Sequence, residues 1–263
     1  MTLLLRSSFE CPAGSRELAD RLLRERVVVR EGASRGDIEL ICGPEGLTLA
    51  SAGQPGQGLS LRLDLASGPL GYRRARAARS REDLVRALGG LPQGSTVIDA
   101  SAGLGRDSLI LASSGLNVVA LERHPVLSVL LADALRRAAR HEALQPVLSR
   151  IRLEEHDARA WLAQHDTPFD AAVFDPMFPP RRKGAAVKKE MQILQRLLGD
   201  DADPDAAETL VLLRQRVRRR VVVKRPLHAP WLGDVEPSHA LRGRSTRFDI
   251  YLPTLHRAAE TSS

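Results

Sequence analysis

Aromatic rings are scarce in this chain, at 3% of its residues, which argues against a protein that stacks a run of bases along an aromatic sheet face. No window approaches the ~20 consecutive apolar residues that a membrane helix needs. The opening Met1-Thr2-Leu3-Leu4-Leu5 is cut short by Arg6 and followed by Glu10. That is too brief and wrongly ordered for a secretory signal, so a cytoplasmic protein with no membrane partner is expected. Cysteine is almost absent: Cys11 and Cys42 have no metal-ligand spacing. They are read as two thiols, and no metal is expected. Lysine is rare as well, confined to Lys183, Lys188, Lys189 and Lys224 in a chain with 39 basic residues.

Positive charge is what the chain has in excess. A formal charge of +7 and a pI near 10.2 point to an acidic partner, usually nucleic acid for a soluble protein. Arginine is spread along the whole chain and much of it will lie on solvated helix faces, so lysine is the better tracer. Three lysines, with Arg181 and Arg182, follow directly on the tetrapeptide Asp175-Pro176-Met177-Phe178, and the fourth ends a later apolar run. Read without function, the cluster is a solvated loop-to-helix segment.

At 263 residues the chain can bury a sizeable core. Up to about Gly90, short apolar runs at Val27 to Val29, Ile38 to Ile41, Leu47 to Ala50 and Leu59 to Leu65 are separated by glycine-rich turns. Residues 1–90 are therefore expected to form a small, mostly β region, ending in a basic helix that follows Gly71-Tyr72-Arg73-Arg74. From Ser95 strands and helices alternate: Thr96 to Ala100, a helix from Arg106, Asn117 to Leu121, a helix over Val126 to Arg140, and Ile151 to Glu155. The series continues with Phe169 to Phe174, helices over Val187 to Leu198 and Asp205 to Gln215, and Arg220 to Val223. Such alternation predicts an α/β domain over residues 91–255 with a mainly parallel sheet, whose ligands sit at the strand carboxyl ends. His239 to Arg242 and Arg247 to Tyr251 read as a terminal antiparallel hairpin, and residues 256–263 as a disordered tail.

Asp175-Pro176-Met177-Phe178 stands directly after the apolar run ending at Phe174. An exocyclic amine on a nucleobase delocalises its lone pair into the ring and is a poor nucleophile. A carboxylate and a backbone carbonyl that accept its two N–H bonds favour the pyramidal nitrogen that attacks a methyl donor, and an adjacent ring can stack on the base. Asp175, the Pro176 carbonyl and Phe178 supply these parts, and the proline stiffens the loop. Alone, Asp-Pro is equally a common turn starter.

Upstream, Thr96-Val97-Ile98-Asp99 runs into Ala100-Ser101-Ala102-Gly103-Leu104-Gly105-Arg106-Asp107, an apolar strand entering a glycine turn that opens a helix. Gly103 and Gly105 let a cofactor approach the backbone, and the helix start offers N–H groups. Glu122, at the end of the next apolar run, can accept from both hydroxyls of an adenosine ribose. Nicotinamide dinucleotides use the same geometry, but the third glycine of their fingerprint would fall at Ser108. The spacing Asp99-x-x-x-Gly103-x-Gly105 instead resembles motif I of class I S-adenosylmethionine-dependent methyltransferases.

The glycine turn, Leu121-Glu122-Arg123-His124-Pro125, Asp175-Pro176-Met177-Phe178-Pro179, Val187-Lys188-Lys189-Glu190-Met191, Val221 to Pro226 and Arg247 to Tyr251 together resemble the ribosomal RNA small subunit methyltransferase J family. The match covers about Leu59 to Tyr251. The resemblance implies a class I methyltransferase fold and methylation of a guanine N2 amine in 16S ribosomal RNA or the small subunit. The cofactor would be S-adenosylmethionine and the product S-adenosylhomocysteine. It also implies cofactor contacts at Arg106, Asp107, Glu122, Arg123, Asp157, Ala158 and Asp175. Where the family tends to carry paired serines this chain has Asp157-Ala158, and an acid there can still accept from the adenine amine. Arg73, Arg74, Arg181, Arg182, Lys183, Lys188, Lys189, Lys224 and Arg225 are the candidate phosphate contacts, giving affinity without reading sequence. Two rivals stay open: an adenine-N6 methyltransferase, since Asp-Pro-x-Phe motifs serve that amine too, and a nucleic-acid-binding protein that keeps the fold without turnover.

Overall fold

The computed structural model describes residues 3–30, 38–51, 58–66, 82–177, 189–199 and 203–254. In chain order its strands and α-helices begin with β1 (Leu3–Ser7), α1 (Ala13–Arg24), β2 (Val28–Arg30), β3 (Ile38–Gly43), β4 (Gly46–Ser51), β5 (Ser60–Leu61) and α2 (Asp83–Ala87). Next come β6 (Thr96–Asp99), α3 (Arg106–Ser113), β7 (Asn117–Leu121), α4 (Pro125–Ala138), α5 (Gln145–Leu148), β8 (Ile151–Glu154) and α6 (Ala158–Gln164). The chain continues through β9 (Phe169–Phe174), α7 (Lys189–Leu198), α8 (Ala206–Arg216), β10 (Val217–Pro226), β11 (His239–Arg242) and β12 (Thr246–Tyr251). Two compact units result: Met1–Gly68, His124–Gln145 and Met177–Ala202 form the first, and Pro69–Arg123, Pro146–Pro176 and Asp203–Ser263 the second. Among the described residues no helix is long and apolar enough to cross a membrane.

The first unit holds a five-stranded sheet in the order β2-β1-β3-β4-β5. Its β1 and α1 are not anticipated by the sequence reading. Leu3, Leu4 and Leu5 are buried, so the short opening run becomes an inner strand between β2 and β3. The expected strand over Leu59 to Leu65 shortens to β5, although Leu63 and Leu65 remain buried. Asp133 of α4 is completely buried and fastens this helix to its neighbours. Its carboxylate accepts from Ser15 Oγ at 2.6 Å, the Leu47 N–H at 3.0 Å, and Arg136 and Arg137 at 2.8 Å each. A buried charge persists only when it is paired and hydrogen-bonded in this way.

Cys11 and Cys42, expected as thiols, form a disulfide with Cα atoms 5.4 Å apart. Strand pairing explains it. Ser7 lies opposite Cys42, and the Ser8 N–H donates to the Cys42 carbonyl, so the chain leaving β1 carries Cys11 alongside the end of β3.

The second unit is a seven-stranded sheet in the order β11-β12-β10-β9-β6-β7-β8. Five neighbouring strands, β10 to β8 in that order, are parallel, and β11 and β12 close one edge as an antiparallel hairpin. This is the expected class I methyltransferase arrangement. Its central strands read as continuous apolar runs because both faces are covered. Alternate residues Ile98, Val119 and Leu121, Phe174, and Val221 and Val223 share one face and pack into Trp161 and Leu162 of α6 and Leu210 and Leu213 of α8. Each such side chain contributes about 1.5–3 kcal/mol when fully buried. Strand order reverses between β6 and β9: the chain proceeds outward from β6 to β7 and β8, then returns to β9 on the other side. Ligand crevices open at the carboxyl ends of strands beside such a switch point.

Candidate active site

Asp99 ends β6 with only 2% of its surface exposed. Its carboxylate accepts from Ser108 Oγ at 2.5 Å and the Ser101 N–H at 3.3 Å. Burial pushes this carboxyl up to about 7; the Ser108 hydrogen bond opposes the rise, and the charges of Asp107 and Asp175 add to it. The chain then turns through Gly103 at φ +53° and Gly105 at φ +69°, the left-handed conformation that disfavours a side chain. A Cβ at Gly103 would meet nothing nearer than the Ser101 carbonyl at 3.8 Å, so the turn presents an open backbone surface. The Gly103 N–H donates to Glu122 Oε2 at 2.8 Å. Glu122, 7% exposed, follows β7 and thereby fixes the turn from the adjoining strand end.

Asp175 leaves β9 directly beside this turn. Its N–H donates to Ser101 Oγ at 2.7 Å, which ties the Asp-Pro loop to the glycine turn. Lys224, at the end of β10, lies 2.8 Å from Asp175 Oδ2 and 2.8 Å from Asp107 Oδ2 in the first turn of α3. Parallel register accounts for this, since Val223 pairs with Phe174 and the next residues emerge side by side. Burial pushes the Asp175 carboxyl above its usual range, Lys224 pulls it back and Asp107 pushes it up. For Lys224, burial alone would lower the ammonium's pKa, but the charges of Asp107 and Asp175 raise it well above the usual lysine value. Two carboxylates around one ammonium leave a net negative charge suited to a cationic ligand.

Comparison with known proteins defines the family. A family model described as "Putative SAM-dependent methyltransferase" matches residues 19–253. Proteins named Ribosomal RNA small subunit methyltransferase J from Thioalkalivibrio sulfidiphilus and Dechloromonas aromatica are 44% and 41% identical, over 90% and 83% of this chain and 93% and 89% of theirs. This chain belongs to the ribosomal RNA small subunit methyltransferase J family. The crystal structure of the SAM-dependent methyltransferase NGO1261 from Neisseria gonorrhoeae is 31% identical, with a TM-score of 0.72 and 96% of each chain covered.

S-adenosylmethionine is the cofactor of this J-family chain. The residues present fit it: an open glycine turn, an acid at the second strand end, and the acids Asp107 and Asp175 beside the turn, which suit a sulfonium. Arg106 is exposed at the start of α3. Arg123 approaches Asp203 at 3.3 Å and Asp157 at 3.9 Å. Asp157 caps α6, its Oδ1 accepting from the N–H groups of Arg159 at 3.0 Å and Ala160 at 3.2 Å. The acid at this departure from the family pattern thus meets a local backbone need, as N-cap residues do. Ala158 is the buried first residue of that helix.

Two proposed phosphate contacts fall elsewhere than the charge pattern suggested. Lys224 faces two carboxylates. Arg225 is only 3% exposed and donates to the Pro230 carbonyl, too deep to meet a phosphate. Lys189 is exposed at the start of α7 in the first unit. Phe178, Arg73, Arg74, Arg181, Arg182, Lys183, Lys188 and the tail 256–263 lie outside the described residues. The sequence reading missed Ser101 and gave Ser108 only a negative role, as a missing glycine. A signal was present for Ser108, because a hydroxyl in the first turn of the helix that follows a strand-end acid can reach back to satisfy that acid.

Proposed function

We propose that this protein methylates the N2 amine of a guanine in 16S ribosomal RNA, in the cytoplasm, with the free RNA or small subunit as partner. The observation that carries the reading is Asp175 at the switch-point crevice beside the glycine turn, its backbone N–H held by Ser101 Oγ and its carboxylate by Lys224. Membership of a family whose relatives are named for the small-subunit ribosomal RNA supports the choice of RNA.

When bound, S-adenosylmethionine supplies an electrophilic methyl group on a sulfonium. Glu122 would accept from its ribose, with Arg106, Arg123, Asp157 and Ala158 as the further candidate contacts. The chain's own residues then act on the base. A guanine unstacked into the crevice, at a cost of a few kcal/mol, offers its two N2 hydrogens to Asp175 and the Pro176 carbonyl. Accepting both hydrogens withdraws the nitrogen lone pair from the ring and aims it, an electrostatic effect realised mainly in the transition state. Phe178 stacks on the base. The methylated amine is acidic and sheds its extra proton readily, so no strong general base is required. Arg73, Arg74, Arg181, Arg182, Lys183, Lys188 and Lys189 contact phosphates, each lowering the salt slope by about one unit when removed.

The test is transfer of labelled methyl groups to unmodified 16S RNA and small subunits, with nucleoside analysis, for the wild type and Asp175→Ala. N2-methylguanosine that falls by about 10²-fold or more in the variant is expected. N6-methyladenosine would replace the guanine reading with an adenine one. No labelled nucleoside, together with no binding of S-adenosylmethionine, would leave a nucleic-acid-binding protein.

A further inference from the structure

We propose that Lys224 is a positioning residue for methyl transfer: its ammonium holds the Asp175 carboxylate oriented and ionised while coupling it to the first turn of the cofactor-side helix α3. The inference rests on the proposed role of Asp175, and it replaces the reading of Lys224 as a phosphate contact.

Geometry carries the argument. Lys224 Nζ is 2.8 Å from carboxylate oxygens of both Asp107 and Asp175, on two different segments, with 29% of its side chain exposed. An ammonium has three donors, and two are committed here. A compact point charge can sit between two carboxylates from adjacent elements, whereas the planar guanidinium favours one bidentate partner. Lysine stands here although the chain otherwise draws almost wholly on arginine for its 39 basic residues. A phosphate arriving at Lys224 would meet Asp107 and Asp175 at the same point, so the position is poor for RNA backbone and good for fixing a carboxylate.

Four groups face one another here: Asp99 from β6, Asp107 from α3, Asp175 from the loop after β9 and Lys224 from β10. Burial and Asp107 favour a neutral Asp175, and Lys224 opposes both. A protonated Asp175 would add a donor where the proposed chemistry needs an acceptor. Lys224 therefore keeps Asp175 competent toward neutral pH, and its removal moves the acid limb of activity to higher pH.

The experiment compares wild type, Lys224→Met and Lys224→Arg by three readouts. These are the pH profile of kcat on 16S RNA, carbon-detected NMR titration of the aspartate carboxyls in cofactor-free protein, and RNA affinity against salt. Lys224→Met should lower kcat near neutrality by about 10²-fold, the scale of a misplaced reacting group, with partial recovery in alkali. Its Asp175 titration should move upward, RNA affinity and salt slope should stay unchanged, and Lys224→Arg, which keeps the charge but not the compact geometry, should hold the Asp175 titration down while restoring only part of the rate. An unmoved acid limb with unmoved carboxyl titrations would overturn the proposal. So would weaker RNA binding with a salt slope reduced by about one, which would return Lys224 to phosphate contact. If Lys224→Met does not fold, Lys224→Gln is read by the same criteria. A wild type that transfers no methyl to 16S RNA sinks the functional reading instead, while the carboxyl titration still decides whether Lys224 governs Asp175.

Discussion

Asp99→Asn tests whether burial governs the protonation of the carboxyl beneath the glycine turn. The introduced carboxamide would keep the shape and can still accept from the Ser101 N–H while donating to Ser108 Oγ, which a hydroxyl oxygen can accept. What it loses is the proton equilibrium. The folded-state pKa of Asp99 is raised from 3.8 to about 7 by burial. Between those values the folded protein holds a proton that the unfolded chain has released. Stability from this group is therefore full below the unfolded value and lost as pH rises through about 7. Integrating the linkage from about pH 5 to about pH 7 gives a loss of about 2 kcal/mol in the wild type, absent from the variant. The assay is urea unfolding of both proteins across that range, followed by tryptophan fluorescence. Both tryptophans, Trp161 and Trp231, lie in the second unit, so the signal reports the part of the chain that contains Asp99. Taking the difference between the proteins largely cancels other titrating groups, and the charge of Asp175 is the smallest of the influences on Asp99. The variant should gain relative stability as pH rises. A flat difference would mean that Asp99 is hydrated and ionised like a surface acid, and a gain toward low pH would mean that pairing, not burial, dominates it.

Two further perturbations separate the site from the scaffold. Glu122→Ala should weaken S-adenosylmethionine binding by at least about tenfold, measured by calorimetry, because it removes the charged acceptor proposed for the ribose, an interaction worth roughly 1.5–3 kcal/mol, and frees the Gly103 N–H that Glu122 fixes. Asp133→Ala should destabilise the first unit by about 3–5 kcal/mol in chemical unfolding, since two arginines, Ser15 and the Leu47 N–H lose a common buried acceptor. Burial pushes the Asp133 carboxyl up, but hydrogen bonds from Ser15, Arg137, Leu47 and Arg136 more than offset it and leave it lowered. The wild type should therefore lose this contribution as pH falls through the folded value, in acid unfolding that the variant does not show.

How much of this was legible in the sequence depended on how local the cause was. Phe169–Phe174 was readable to the residue because a strand covered on both faces needs a dense apolar run, here broken only by Asp170 near its start. The glycine turn was readable because two residues with positive φ leave a mark in composition. By contrast, α1 buries only Ser15, Ala19 and Leu22, too narrow a stripe to stand out among its arginines. The disulfide depended on strand register between segments 31 residues apart, which spacing alone does not encode.

The most instructive case is the pair Lys224-Arg225, which charge counting treated as one basic cluster. Consecutive residues of a strand point to opposite faces, so two adjacent cations at a strand end cannot share a partner on one side. Val223 opposite Phe174 directs Lys224 toward Asp175. Arg225 instead pairs across the sheet with Arg247. That close approach of like charges is relieved from below by Asp249, whose carboxylate takes Arg247 in two hydrogen bonds of 2.7 and 2.8 Å. Burial lowers the Arg225 guanidinium, and Asp249 partly compensates. Alternation along β10 follows from the apolar run Val221 to Val223 in the sequence itself. Applied to the two residues that follow, it would have separated the cation that serves the site from the one that serves the sheet. Charge in a strand has to be assigned face by face before it is counted as a surface for nucleic acid.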